Sequence, residues 1–406
     1  MRAFPLIRSL RGAVVATVLT ALPLLLFSSS ALAGLYGTWL LILAAPPLIM
    51  LAGLWGGLLP LAVGLLAALA QPFVALGQQS ALLMALYLIP FTGTFIVVIS
   101  RQVPFFKAGL ALCLVYLLSA FGVLYVLQRA ADGRLYLTLG ERIAFMLTNS
   151  PSGDQLLVLL YQNGLLSLDP SLLLRAQGVL GGLSALGRQE LTSSLVHTLA
   201  DLFSQTPGMI VTGSILLGFC GLGLSLYIGR RAMEKKTYGD LRRQQLMRAV
   251  ERQQQAVREG DASARLELES YDAFLARMEK DPNAAPLDYP DLGMPPFSEW
   301  YLPRRCGLMA AVPAIGLLMA VMGTSLIERT IGSMLGSVFL TVYTLQGVAA
   351  FDFMQKKAGR TLAGRWAFTL VLVFLFRLFR FVFVILGVID QVLNFRHLRP
   401  APQNDD

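Results

Sequence analysis

Charged residues are scarce in this sequence of 406 residues. Asp, Glu, Lys and Arg make up only 14% of it, whereas 55% is hydrophobic. A typical soluble domain has about 25% charged residues. The apolar residues come in runs of about 20, the length that a helix needs to cross the hydrocarbon core of a bilayer. The scarcity of charge therefore excludes an ordinary soluble domain and predicts an all-α, polytopic helical membrane bundle.

Cysteine and histidine are also rare. Cys113, Cys220 and Cys306 lie far apart, and their odd number argues against a disulfide framework. His197 and His397 form no short-spaced cluster with them of the kind that holds a structural zinc. The motifs of metalloproteases, serine hydrolases and phosphate-binding loops are absent from the sequence. We therefore predict no metal, no cofactor and no catalytic residue, and a protein that is not an enzyme.

The net charge of +9 comes from basic residues beside the apolar runs. The sequence contains no basic stripe with interleaved aromatics, and this excludes nucleic acid as a partner. Basic residues flank membrane helices on the cytoplasmic side. Arg2, Arg8 and Arg11 precede the first run and predict a cytoplasmic N-terminus. All six lysines of the chain then fall on the cytoplasmic side as well.

Nine apolar runs predict eight or nine membrane spans. They lie at residues 12–33, 36–54, 57–76, 80–99, 108–128, 208–228, 307–327, 331–352 and 366–389. Residues 1–33 also have the pattern of a secretory signal peptide, with Ala31 and Ala33 before Gly34; an uncleaved first helix is the alternative. Nine spans place the C-terminus outside, although Arg396 and Arg399 favour the cytoplasm. A re-entrant or interfacial last segment is the alternative there.

The runs divide the chain into six parts. These are an N-terminal bundle at 1–128, an external loop at 129–207, the sixth span at 208–228, a cytoplasmic segment with a Pro-rich linker at 229–305, C-terminal spans at 306–396 and a tail at 397–406. In the external loop, Leu156–Leu168 and Leu172–Leu186 are predicted amphipathic helices. In the cytoplasmic segment, an apolar face from Tyr271 to Met278 predicts packing on a partner.

The last apolar run contains Arg377 and Arg380, which are three residues apart and share one face of a helix. An arginine at the bilayer midplane costs about 2.5–3.5 kcal/mol on insertion scales. Three interpretations stay open. The arginines snorkel to the interface, they pair with Glu328, Asp352 or Asp390, or they bind an anionic lipid or substrate through their guanidinium groups.

The eighth run contains a polar patch formed by Thr341, Thr344 and Gln346. Hydroxyl and amide groups inside a membrane helix serve hydrogen bonding between helices or line a binding surface.

Gly53, Gly57, Gly64 and Ala68 form a small-residue rhythm in the N-terminal runs. This rhythm indicates either close packing of helices or the wall of a pocket.

Three motifs stand in the last third of the chain. They are Pro296-Phe297-Ser298-x-Trp300-x-x-Pro303, Gln346-Gly347 and Gly387-x-x-Asp390-x-x-x-Asn394-Phe395-Arg396. In these motifs and in the order of its spans, the chain resembles the YybS-like family of bacterial inner-membrane proteins, a domain of unknown function. The resemblance implies a multi-pass protein of the bacterial inner (plasma) membrane and no catalytic residue. The glycine-rich N-terminal half is also similar to substrate-binding subunits of energy-coupling-factor transporters.

Two functions remain open. The first is a transporter-like or ligand-binding membrane component for a small or anionic molecule or lipid, in which Arg377 and Arg380 hold the anionic group and the polar patch of the eighth run lines the route. The alternative is a non-transporting membrane scaffold that recruits a protein partner through residues 229–305. The sequence leaves the oligomeric state open.

Overall fold

The computed structural model describes residues 45–46, 48–50, 53–54, 58–76, 78–167, 185–230, 247, 292–302, 311–323, 325–361, 364–365, 367 and 376–398. All regular elements within these ranges are helices. The α-helices are α1 (Leu58–Leu76), α2 (Gln78–Ser100), α3 (Phe105–Ala130), α4 (Leu135–Thr148), α5 (Gly153–Gln162), α6 (Ala185–Ser204), α7 (Thr206–Ile215), α8 (Ala311–Met322), α9 (Leu326–Lys357) and α10 (Phe376–Leu393). A π-helical stretch, Leu216–Gly221, follows α7, and a short 3₁₀ helix covers Phe297–Glu299.

Several helices have the length and apolar composition of membrane spans. Those that satisfy both criteria within the described ranges are Leu82–Ser100, Phe105–Ala130, Gly187–Arg230 and Glu328–Lys357. The predicted all-α membrane fold is thereby confirmed. The number of eight or nine spans stays a prediction, because the runs 12–33 and most of 36–54 lie outside the described residues, as does the signal-like segment.

The last predicted span differs from the helix that the structure describes. The prediction ended at Ile389, but α10 continues to Leu393 and so includes Asp390. The stretch 368–375 lies outside the described residues. Asn394 ends the helix with a φ of 46°, a left-handed conformation that asparagine tolerates at a helix C-terminus.

The chain divides into two compact units. One consists of Met1–Leu112 with Leu217–Met294, and the other of Cys113–Leu216 with Pro295–Asp406. In the first unit α1 packs on α2, and the α2 side chains Leu88, Phe91 and Phe95 are fully buried. A Cβ at Gly53 would come 2.7 Å from Cδ1 of Leu61. This member of the small-residue rhythm therefore lies at a tight packing contact.

The second unit contains a cluster of three helices, α4, α5 and α6. Its core consists of Ala144, Leu157, Leu166, Leu191 and Leu195. The predicted helix at Leu156–Leu168 corresponds to α5, which ends earlier, at Gln162. Most of the predicted helix Leu172–Leu186 lies outside the described residues. Whether this part of the chain is external stays a prediction.

Helix α9 is the central element of the second unit, and small residues let its neighbours approach closely. A Cβ at Gly332 would overlap the backbone of Ala320 in α8, and one at Gly347 would overlap the carbonyl of Phe383 in α10. The residue pairing shows that α8 and α10 each run antiparallel to α9. Helix α7 runs parallel to it, since Gly208 meets Ser333 and Ser337 and Thr212 meets Thr341 one turn later.

Both ends of α9 carry the chemistry that a helix terminus favours. Ser325 and Glu328 form a reciprocal capping box, in which each side chain accepts a hydrogen bond from the other residue's backbone N–H, at 3.2 and 3.0 Å. Lys356 and Lys357 lie in the last turn, where the helix dipole favours positive charge. These ends fix the length of α9 without help from its neighbours.

Candidate functional site

The signature residues of the last third meet at the end of α10 around a buried ion pair. Arg396 donates from Nε to Oδ1 of Asp390 at 3.1 Å and from Nη2 to Oδ2 at 2.6 Å. Their side chains are only 1% and 3% exposed. The turn at Asn394 positions this pair, because its backbone N–H still donates to the carbonyl of Asp390 at 2.9 Å. The chain then reverses and Arg396 faces the helix that it has just left.

Two backbone carbonyls complete the arginine's coordination. Nη1 donates to the carbonyl of Ser298 at 2.7 Å, and Nη2 also donates to that of Trp300 at 2.8 Å. Pro296 caps the short 3₁₀ helix here, and the indole N–H of Trp300 donates to the carbonyl of Pro295 at 3.1 Å. The first motif is therefore a folded segment bound by Arg396. Pro303 lies outside the described residues.

The second motif joins the same cluster from α9. Nε2 of Gln346 donates to Oδ2 of Asp390 at 2.9 Å and to Oε1 of Gln391 at 3.2 Å. Gly347 lies against Gly387, and a Cβ on Gly387 would overlap the carbonyl of Tyr343. All three motifs thus form one buried assembly, which we call the signature cluster. Four hydrogen bonds from Arg396 and one from Gln346 hold the ion pair in place, so the signature cluster joins these segments structurally, although Oε1 of Gln346 is buried without a partner among the described residues.

Arg377 and Arg380 lie in the first turns of α10, but their side chains are outside what the structure describes. Each acidic partner considered for them has another partner. Asp390 pairs with Arg396, and Glu328 belongs to the capping box.

Asp352 forms a second ion pair, with Arg365. The two contacts are bidentate, from Nε to Oδ1 at 2.8 Å and from Nη2 to Oδ2 at 2.7 Å, and the side chains are 13% and 10% exposed. Sequence reasoning missed Arg365, because its distance from Asp352 along the chain follows no helical spacing.

Polar residues form a continuous face along α9. They recur every three or four residues, with Val348 as the one apolar interruption. The members are Thr330, Ser333, Ser337, Thr341, Thr344, Asp352 and Gln355. At 3.6 residues per turn these positions share an arc of about 100° and a length of about 37 Å, which exceeds the roughly 30 Å of a bilayer's hydrocarbon core.

The predicted patch is therefore split between two faces of α9. Thr341 and Thr344 belong to the polar face, whereas Gln346 lies on the opposite side in the signature cluster. The hydroxyls of Thr341 and Thr212 are 3.1 Å apart, and Thr344 donates to the carbonyl of Leu340. The side chain of Gln355 is buried, and neither its Nε2 nor its Oε1 has a hydrogen-bond partner within the described ranges.

A cavity of about 420 Å³ lies beside the first half of this polar face. Its walls come from the end of α6, from α8 and from α9. The polar lining residues are Asp201, Ser204, Gln205, Arg329, Thr330, Ser333 and Ser337. This volume is within the range of about 300–1,000 Å³ that is common for small-molecule sites. The cavity was not predicted from the sequence, because Asp201 and Arg329 lie far apart along the chain. Each has the position of an ordinary charged residue near the end of an apolar run.

Comparison with known proteins gives one match. A family model described as "Predicted membrane protein (DUF2232)" matches residues 286–391, a range that contains α8, α9 and most of α10. Neither the curated proteins nor the solved structures contain a match. The match supports an uncharacterised membrane family, as the sequence predicted. The YybS-like name and the likeness to energy-coupling-factor subunits stay predictions.

Proposed function

We propose that the chain is a transporter-like membrane protein that binds a small polar ligand in the cavity beside the first half of α9. The observation that carries the proposal is the continuity of this cavity with the polar face of the same helix. Polar side chains in membrane helices are expensive unless they pair with each other or face water, and they often mark substrate or ion pathways. The part of the polar face that lines the cavity can face water.

Pairing accounts for only some of the polar face. Thr341 has a hydroxyl partner in α7 and Thr344 bonds to its own helix. Ser333 and Ser337, in contrast, line the cavity, and Gln355 near the other end keeps a buried amide that no described residue satisfies. A route for a polar solute along α9 would give these groups a function. Membrane topology, inner-membrane location and the absence of catalysis belong to the same proposal.

The packing directions agree with the predicted order of the spans. Predicted spans six and eight both run from outside to inside, and α7, within span six, is parallel to α9, within span eight. Arg396 no longer counts as a basic tail residue, because it is buried in an ion pair. Of the two arginines that favoured a cytoplasmic C-terminus, only Arg399 still argues against an external one. The structure does not describe Arg399. In this orientation the cavity opens to the outside.

The ligand site first predicted at Arg377 and Arg380 stays a prediction. If these arginines hold the anionic group, Arg377→Ala abolishes ligand-dependent thermal stabilisation in detergent, and unchanged stabilisation contradicts that site. The scaffold function also stays a prediction, since its face from Tyr271 to Met278 lies outside the described residues.

Thiol labelling tests whether the cavity holds water. In a background with the three native cysteines replaced by alanine, Leu317→Cys and Ser337→Cys place thiols in the cavity wall. We expect N-ethylmaleimide to alkylate both in membranes, because a thiol reacts as its thiolate and needs water to ionise. Mass spectrometry of the purified protein measures the alkylation rates.

Leu318→Cys is the matched control. Leu318 adjoins Leu317 in α8 but is 60% exposed on the outer face, where a span contacts lipid. We expect its alkylation in membranes to be at least about tenfold slower, because lipid suppresses the thiolate. Equal, slow alkylation at Leu317→Cys, Ser337→Cys and Leu318→Cys would show that the cavity is dry, and the proposed function would fail.

A further inference from the structure

Two opposite charges distinguish the cavity from the rest of the polar face. Arg329 lies in the first turn of α9, and Asp201 near the end of α6. Their charged groups form no ion pair with each other, nor with another residue that the structure describes. The cavity therefore offers one cationic and one anionic group to a ligand.

The Arg329 guanidinium is held in place without being neutralised. Its Nε donates to the carbonyl of Gly323 at 2.9 Å, beyond the end of α8. This bond leaves the two Nη groups, which are the donors that arginine uses to bind a carboxylate or phosphate. An arginine anchored in this way is preorganised for an anionic group.

A hydrogen bond to the backbone of Asp201 holds this residue in place, whereas its carboxylate forms no ion pair within the described residues. The hydroxyl of Ser204 donates to the backbone carbonyl of Asp201 at 2.6 Å, one turn before α6 ends. Gln205 follows beside it in the cavity wall. A carboxylate with an adjacent amide carbonyl suits a primary ammonium, which has three hydrogen-bond donors and no acceptor.

We infer that the Asp201–Arg329 cavity binds a zwitterion, with an anionic carboxylate or phosphate at Arg329 and a primary ammonium at Asp201. The inference rests on the proposed function, since it assigns a ligand class to the same cavity. A zwitterion would pair with both protein charges at once, whereas a simple anion or a simple amine would pair with only one of them. Two sources provide this chemistry, namely a free amino acid and the phosphoethanolamine headgroup of a lipid.

Protection from alkylation tests the ligand class. The assay uses Ser337→Cys in the background without native cysteines, with Leu317→Cys as a second reporter in case the first folds poorly. The probes are the amino acids other than cysteine, whose thiol would consume N-ethylmaleimide, in four pools, together with the corresponding short carboxylic acids and the corresponding primary amines. We expect one or more amino acid pools to slow alkylation about tenfold at ten times the dissociation constant, while the acid and amine pools leave the rate unchanged.

A second arm tests the lipid source. The same variants are placed in nanodiscs of phosphatidylglycerol alone or mixed with phosphatidylethanolamine. If the headgroup is the ligand, phosphatidylethanolamine slows alkylation about tenfold relative to phosphatidylglycerol, and the amino acid pools have no effect. Either source of the zwitterion supports the inference, and the two arms tell them apart.

Charge-removing variants connect the protection to the two residues. Arg329→Gln and Asp201→Asn should each abolish protection, which is measured within each variant as the ratio of alkylation rates without and with the probe. Arg142→Gln, at an exposed arginine of α4 outside the cavity, is the matched control and should retain protection. Loss of protection in all three variants would contradict an assignment to Asp201 and Arg329.

The outcomes separate this inference from the proposed function. Equal protection by acids, amines and amino acids, or no protection by any probe, overturns the zwitterion while the cavity stays accessible. Failure of N-ethylmaleimide to reach Ser337→Cys and Leu317→Cys overturns the proposed function itself.

Discussion

Arg396→Ala is expected to destabilise the protein by about 3–5 kcal/mol, the range found when one partner of a buried ion pair is removed. Asp390 would keep a buried charge with only Gln346 as a described side-chain donor. The carbonyls of Ser298 and Trp300 would also lose their guanidinium donors. The measurement is the melting temperature in detergent, together with the yield of folded protein from the membrane fraction.

Two comparisons isolate the buried geometry. Arg188→Ala removes an ion pair with Asp154 whose side chains are 46% and 49% exposed, and it should cost about 1 kcal/mol or less. Arg396→Lys keeps the charge but loses the planar fork, so we expect an intermediate loss. If Arg396→Ala is no more damaging than Arg188→Ala, the ion pair does not stabilise the C-terminal helices.

A compensating double variant distinguishes charge from shape. Asp390→Leu with Arg396→Met removes both charges and keeps comparable volume, and replacement of a buried pair by apolar residues is often neutral. We expect this variant to recover part of the stability that Arg396→Ala loses. Recovery should stay partial, because the carbonyls of Ser298 and Trp300 remain without their donor.

Gly347→Ala is expected to force α9 and α10 apart. The new Cβ would overlap the carbonyl oxygen of Phe383 and lie 3.1 Å from the backbone nitrogen of Gly387. Backbone atoms cannot move aside as a flexible side chain can, so the loss should reach or exceed the roughly 1–3 kcal/mol of ordinary overpacking. The melting temperature in detergent measures the loss.

Gly93→Ala and Gly122→Ala are the matched controls within membrane helices. Nothing lies within 4 Å of a Cβ at either position, and alanine is the better helix former by about 1 kcal/mol. We expect these variants to be neutral or slightly stabilised. A Gly347→Ala protein as stable as these controls would contradict the close backbone contact between α9 and α10.

These expectations give the signature motifs a physical role. Residues from Pro296 to Arg396 hold one segment and two helices together through a single guanidinium, a single carboxylate and two glycines. None of these groups is left free for a substrate. Asp201 and Arg329, which no motif contains, are the charged residues of the cavity, and they form no ion pair within the described residues. Function in this chain is therefore expected beside the signature cluster and not inside it.

The sequence by itself determined that this is an all-α membrane protein. Runs of about 20 apolar residues have the length of a membrane-spanning helix, and a helix satisfies its own backbone hydrogen bonds in lipid. The start of α9 was predicted too late, at residue 331, because hydrophobicity marks the apolar part of a helix, whereas the helix itself begins at Leu326 beside its capping box. The small-residue rhythm that begins at Gly53 predicted a close helix contact, and Gly53 lies at one, because a missing side chain exposes the backbone to a neighbouring helix.

Only the tertiary structure decided which charges meet. From the sequence, Asp352 and Asp390 were both available to Arg377 and Arg380, and Arg396 was a residue of the tail. The reversal at Asn394 turns Arg396 back onto Asp390, and Arg365 takes Asp352. Charge pairing depends on distance in space, which hydrophobic periodicity does not encode. The cavity of Asp201 and Arg329 was hidden for the same reason, because three helices must pack before its walls exist.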